Sequence, residues 1–155
     1  MSLPSAPTTP SGDPARLDLL ADGRGTEAAL PAALSCRVLV VDDNRDAGDS
    51  LGKLLRLLGA EVQVVYDGPS ALAVLDELEP AAVVLDLGMP GMDGCEVARQ
   101  IRRHGRLHDV PLIALTGWGQ EEDRRRSRQA GFDHHLVKPA DMRALLGLLA
   151  AVPPR

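Results

Sequence analysis

From Cys36 onward, short unbroken apolar runs alternate with longer segments whose leucines recur every three or four positions. No other feature of the chain restricts its fold as strongly. A run such as Val38–Val41, β-branched residues and Leu with no polar residue between them, suits a strand buried on both faces. Val62–Tyr66, Ala81–Leu85, Pro111–Leu115 and His134–Val137 are the other predicted strands. After the first strand, Ala47, Leu51, Leu54, Leu55 and Leu58 keep helical spacing, and Gly59 stands where a C-terminal cap belongs. Pro69 opens a second helix with Leu72, Leu75 and Leu78 along one face. Val97 and Ile101 mark a third, Gln120–Ala130 is a charged fourth closed by Gly131, and Met142, Leu145, Leu146 and Leu149 line a fifth. Strands alternating with helices predict an α/β fold, a five-stranded parallel sheet doubly wound by right-handed crossovers with five helices on its two faces.

The first 35 residues have a different character. They hold five of the twelve prolines (Pro4, Pro7, Pro10, Pro14, Pro31) among Ser, Thr, Gly and Ala, the composition of a tail or linker. Only Leu17, Leu19 and Leu20 are spaced to allow a short helical turn there. The expected organisation is therefore a Pro-rich stretch at 1–35, a domain at 36–150 and a short tail at 151–155. Aromatics are 2% of the chain, so the core must be aliphatic, and stacked-ring recognition of single-stranded nucleic acid is disfavoured. A net charge of −5 gives no general attraction to DNA or to an anionic membrane. No apolar run approaches the ~18 residues of a membrane span, and the N-terminus shows no basic leader. Cys36 and Cys95 are too few for a disulfide scaffold or a four-cysteine zinc site. The expectation is a reduced, cytoplasmic chain without membrane or direct nucleic-acid contact.

Ligands of such sheets bind outside the carboxyl ends of the strands. There the first strand ends in Asp42–Asp43, the third in Asp86, the fourth in Thr116 and the fifth in Lys138–Pro139. Two carboxylates ~4 Å apart repel by roughly 4 kcal/mol at a surface-like dielectric, so the cluster needs protons or a cation. Oxygen donors around an open site suit a hard ion, and Mg²⁺ is the expected cofactor. A metal beside a carboxylate, a hydroxyl and an ammonium suggests phosphoryl chemistry, with an aspartate as nucleophile. The bland alternative is that Asp42–Asp43 caps the first helix and Asp86 merely ends a strand.

Four stretches, Val38-Leu-Val-Val-Asp-Asp-Asn44, Val84-Leu-Asp-Leu-Gly-Met-Pro-Gly-Met-Asp-Gly94, Ala114-Leu-Thr-Gly117 and Val137-Lys-Pro139, resemble in order and spacing the receiver domains of two-component response regulators. The resemblance covers about residues 36–150 and implies a flavodoxin-like strand order, 2-1-3-4-5. It implies that Asp86 accepts a phosphoryl group from a phosphohistidine on a histidine kinase or histidine phosphotransfer protein. It also implies that Asp43, Asp86 and the Gly88 backbone carbonyl bind Mg²⁺, with Asp42 acting through metal-bound water. Lys138 would contact the phosphoryl group, and the Lys138–Pro139 bond would be cis. Thr116 would move toward the phosphorylated aspartate and alter the face made by the fourth helix, fifth strand and fifth helix. Gly117-Trp-Gly-Gln-Glu-Glu-Asp-Arg-Arg-Arg-Ser127 and Ala130-Gly-Phe-Asp-His-His-Leu-Val-Lys-Pro139 are most similar to receivers at the C-terminus of hybrid sensor histidine kinases. Such a fragment is no enzyme beyond its own phosphorylation and dephosphorylation; a homodimer stays open. One departure stands out: the family's switch position, three residues before the lysine, usually holds Tyr or Phe and here holds His135. Trp118, the only tryptophan, follows Thr116 on the loop into the fourth helix.

Other constellations carry less. His134 and His135 are adjacent on a strand and point to opposite faces, so they do not share an ion. Arg124, Arg125, Arg126 and Arg128 follow Glu121-Glu-Asp123 on one helix, which puts acids at its start and bases at its end, as the macrodipole favours. Cys95, at the start of a helix, is either a packing residue or a thiol of lowered pKa. Two other classes compete for the function. A phosphohydrolase with an aspartyl nucleophile would carry a second acid two residues on, where Gly88 stands. A phosphate-independent interaction module of receiver fold would have no need of every acid, the threonine and the lysine.

Overall fold

A computed structural model describes residues 19–21, 24–26, 34–117 and 121–153. The chain divides into two compact units, residues 1–32 and 33–155. In the first, strands β1 (Leu19–Ala21) and β2 (Arg24–Thr26) pair antiparallel, Leu19 opposite Thr26 and Ala21 opposite Arg24. Leu19 and Leu20 are therefore extended, and the helical turn expected there does not form.

The second unit holds β3 (Arg37–Val41), α1 (Arg45–Leu57), β4 (Glu61–Val65), α2 (Gly68–Leu78), β5 (Ala82–Asp86), α3 (Gly94–Arg102), β6 (Leu112–Thr116), α4 (Glu121–Ala130), β7 (His134–Val137) and α5 (Met142–Ala150). The five strands pair in parallel in the order β4-β3-β5-β6-β7, which is 2-1-3-4-5 counted along this unit. Five helices alternate with them, as the periodicity predicts. The unit starts a little earlier than Cys36, because Leu34 is buried and its amide donates to the Leu58 carbonyl at 2.6 Å. Gln120, expected to open α4, and Trp118 lie outside the described residues.

The unbroken apolar runs are explained by two cores, one on each sheet face. Alternate residues of β3 serve them in turn, Leu39 and Val41 on one side, Val38 and Val40 on the other. Leu75, Val97, Ile101 and Phe132 fill the first core; Leu55, Leu145, Leu146 and Leu149 fill the second. Gly59 and Gly131 follow α1 and α4 with φ of 104° and 108°, the left-handed geometry in which glycine pays no steric cost. At the edge away from the strand ends, the Arg102 guanidinium donates to the carbonyls of Gly131, His108 and Val110 and to Asp133 Oδ2 (2.9 Å), tying α3 to the starts of β6 and β7. Among the described residues no helix is long and apolar enough to cross a membrane.

Candidate phosphoacceptor site

The parallel sheet sends every strand's C-terminal end to one edge, and the polar residues collect there. Asp42 follows β3, Asp86 closes β5 and Thr116 closes β6; all three are buried. Asp43 is exposed beside them. One carboxylate oxygen from each of Asp42, Asp43 and Asp86 lies within 4.8 Å of the others. Lys138, just past β7, puts its Nζ 3.2 Å from Asp86 Oδ2 and 3.4 Å from Asp42 Oδ2. The Lys138–Pro139 peptide is cis. Backbone amides orient both buried acids, Asn44 N–H donating to Asp42 Oδ1 (2.9 Å) and Gly88 N–H to Asp86 Oδ1 (3.0 Å).

The capping alternative for the acid pair fails. Asn44, not Asp42 or Asp43, is the N-cap of α1, its side chain accepting from Ala47 N–H at 3.1 Å. Gly94 was legible in its motif but not for its reason: a Cβ there would lie 2.5 Å from the Asp86 carbonyl oxygen, so only glycine lets α3 begin against the end of β5. Thr116 lines a cleft of about 560 Å³ beside the acids with Gly88, Met89, Asp93, Cys95 and Arg126. Cys95 is buried and burial pushes its thiol up, which supports packing rather than reactivity. His135 stands on β7 opposite Ala114, off the acidic cluster, with Nδ1 3.0 Å from Ser127 Oγ.

Electrostatics agree with a cation-seeking site. Burial raises the Asp42 carboxyl above the usual Asp range, opposed by the Asn44 amide and reinforced by the charge of Asp86. Burial works against the Lys138 ammonium, yet Asp86 and Asp42 outweigh it and raise its pKa. Three oxygen donors at this spacing, with one lysine among them, fit a hard divalent ion such as Mg²⁺.

Fold and site together define an α/β protein whose buried aspartate sits among acids, a threonine and a lysine at a strand-end edge. The profile of the response regulator receiver domain matches residues 38–150, and the chain belongs to that family. It is 39% identical over 119 residues to the response regulator MprA of Mycobacterium bovis, covering 77% of this chain and 51% of that protein. To the DNA-binding dual master transcriptional regulator RpaA of Synechocystis it is 34% identical over 116 residues, 75% of this chain and 48% of that one. It thus spans about half the length of these curated relatives. Among solved structures, the chemotaxis protein CheY4 of Vibrio cholerae superposes with a TM-score of 0.72 at 28% identity, over 77% of this chain and 99% of that one. The receiver domain of sensor histidine kinase PA1611 from Pseudomonas aeruginosa, solved with a magnesium ion in its active-site cleft, gives 0.68 at 32%, over 74% and 94%.

Proposed function

We propose that this chain is the phosphoryl-accepting module of a two-component phosphorelay. Asp86 takes the phosphoryl group from a phosphohistidine on a histidine kinase or histidine phosphotransfer protein. An Asp86 carboxylate oxygen forms the new P–O bond as the P–N bond breaks and the imidazole leaves. The single observation that carries this reading is the Lys138 ammonium held between Asp86 and Asp42 in a buried acidic cluster, a cation placed where phosphoryl oxygens would arrive. Asp43, Asp86 and the Gly88 carbonyl would hold Mg²⁺, with Asp42 acting through water. Bound Mg²⁺ supplies positive charge against the same oxygens. Thr116 donates its hydroxyl to the phosphoryl group and carries the change to the surface.

Similarity to the receiver domain of the sensor histidine kinase PA1611 supports a receiver joined to a kinase, with the stretch before Leu34 as the connection, the receiver running from Leu34 to Ala150 and 151–155 as a tail. Function in the cytoplasm follows from that role.

The test is Asp86→Asn, nearly isosteric, whose carbonyl can keep the Gly88 amide bond while its NH2 gives up the Lys138 contact made by Oδ2. The variant should fold and take up no label from a phosphohistidine donor or from acetyl phosphate with Mg²⁺. Label uptake at the wild-type rate would overturn the assignment. Wild-type protein that binds partners yet takes up no label would instead be a docking module.

A further inference from the structure

α4 brings almost nothing apolar to the core. Its sequence is Glu-Glu-Asp-Arg-Arg-Arg-Ser-Arg-Gln-Ala, and only Ser127 and Ala130 are buried. A helix attached by so small an apolar surface depends on a few specific contacts and sits at the low end of local stability.

The most buried of those contacts is polar. Ser127 Oγ lies 2.9 Å from the Arg124 carbonyl oxygen and 3.0 Å from His135 Nδ1. Two oxygens at 2.9 Å repel unless a proton lies between them, and a hydroxyl has only one proton to give. That proton goes to the Arg124 carbonyl, the backward bond serines make within helices. The contact with His135 is then an Nδ1–H donated by the imidazole to the serine oxygen. Phe or Tyr at position 135 has no atom that could donate from there.

The ring is also well placed with respect to the site. Ala114 is opposite His135 and Thr116 opposite Val137 in the β6–β7 register. With side chains alternating along strands, His135 shares the sheet face of Thr116, one diagonal step away. His135, three residues before Lys138, thus stands between the site edge and α4.

We propose that the His135–Ser127 hydrogen bond is a latch that holds α4 against the sheet, and that the domain signals by opening it. The signalling half rests on the reading of Asp86 as phosphoacceptor; the latch itself does not. The family's usual aromatic reports by where its ring packs, whereas here a donor and an acceptor on two elements are joined or parted.

Three measurements test this on the intact chain. Long-range ¹⁵N–¹H correlation should find a proton on His135 Nδ1, and a proton on Nε2 alone would overturn the assignment of the imidazole as donor, leaving Ser127 Oγ–H to donate to Nδ1. Ser127→Ala and His135→Phe should each speed amide exchange in α4 by roughly five- to tenfold, with α1 unchanged. The double variant should be no faster than the faster single one. His135→Phe keeps a ring in place, so equal α4 protection in both single variants and wild type would show that no bond holds the helix. Beryllofluoride with Mg²⁺ should then speed α4 exchange in wild type and change it less than about twofold in Ser127→Ala, whose latch is already open. Binding of beryllofluoride is read separately from the melting temperature. No thermal shift refutes the phosphoacceptor reading and with it the signalling half, while the latch stands or falls on α4 exchange in the single and double variants. A thermal shift with unchanged α4 exchange refutes the signalling half alone.

Discussion

Replacing Asp43 by Asn should make the metal-free protein more stable and abolish its response to Mg²⁺. With carboxylate oxygens within 4.8 Å, Coulomb's law gives about 3.5 kcal/mol per fully charged pair at an effective dielectric near 20. Asp43 faces two such neighbours, whose charge Lys138 partly offsets, and it is exposed, so water screens much of the field. About 1–2 kcal/mol of net repulsion survives that discount. Working against the gain, Asp43 directly precedes the cap of α1, where a negative charge near a helix N-terminus is worth about 0.3–1 kcal/mol. Repulsion wins by about 1 kcal/mol, or about 3–5 °C in melting temperature for a domain of this size. The assay is thermal unfolding in EDTA at low ionic strength; the difference should shrink near 0.15 M salt as screening rises. Mg²⁺ at ten times its Kd should stabilise wild type by about 1.4 kcal/mol and the variant by almost nothing. The two proteins should therefore exchange rank when Mg²⁺ is added. An Asp43→Asn protein that melts below wild type in EDTA, or that keeps the full Mg²⁺ shift, would refute the account of the site as a cluster held open by like charge.

The raised Asp42 pKa fixes the sign of a pH effect: its contribution to stability is present below the unfolded value of ~3.9 and lost as pH rises through the folded value. Stability measured by urea without Mg²⁺ should thus fall in wild type relative to Asp42→Asn between acid and neutral pH, and a constant difference would contradict it. Arg102→Ala removes a guanidinium that holds three carbonyls and Asp133, and should cost about 2–4 kcal/mol, read as a lower urea midpoint at unchanged slope. Lysine at position 102 should restore little, because a point charge cannot reproduce the planar fork.

Local chemistry made most of this protein legible in its sequence. Strands buried on both faces must be apolar at every position, and amphipathic helices must repeat near 3.6, so Val38–Val41 and the leucines of α1 and α5 declared their elements without any partner in view. Since parallel strands end at one edge, Asp42, Asp43, Asp86, Thr116 and Lys138 could be gathered into one site from strand ends alone. Short-range choices between near-equal options were harder. Asn44 rather than Asp43 caps α1, and Leu19–Ala21 is a strand rather than a helical turn, because competing local bonds differ by little and pairing with Arg24–Thr26 decides the second case. Long-range contacts were invisible. Lys138 meets Asp42 across 96 positions, Arg102 crosses to Gly131 and Asp133, and His135 meets Ser127 at a position where the sequence showed only a missing aromatic. Each of these depends on strand order and register, which set which side chains come within hydrogen-bond reach, and no residue carries that information alone.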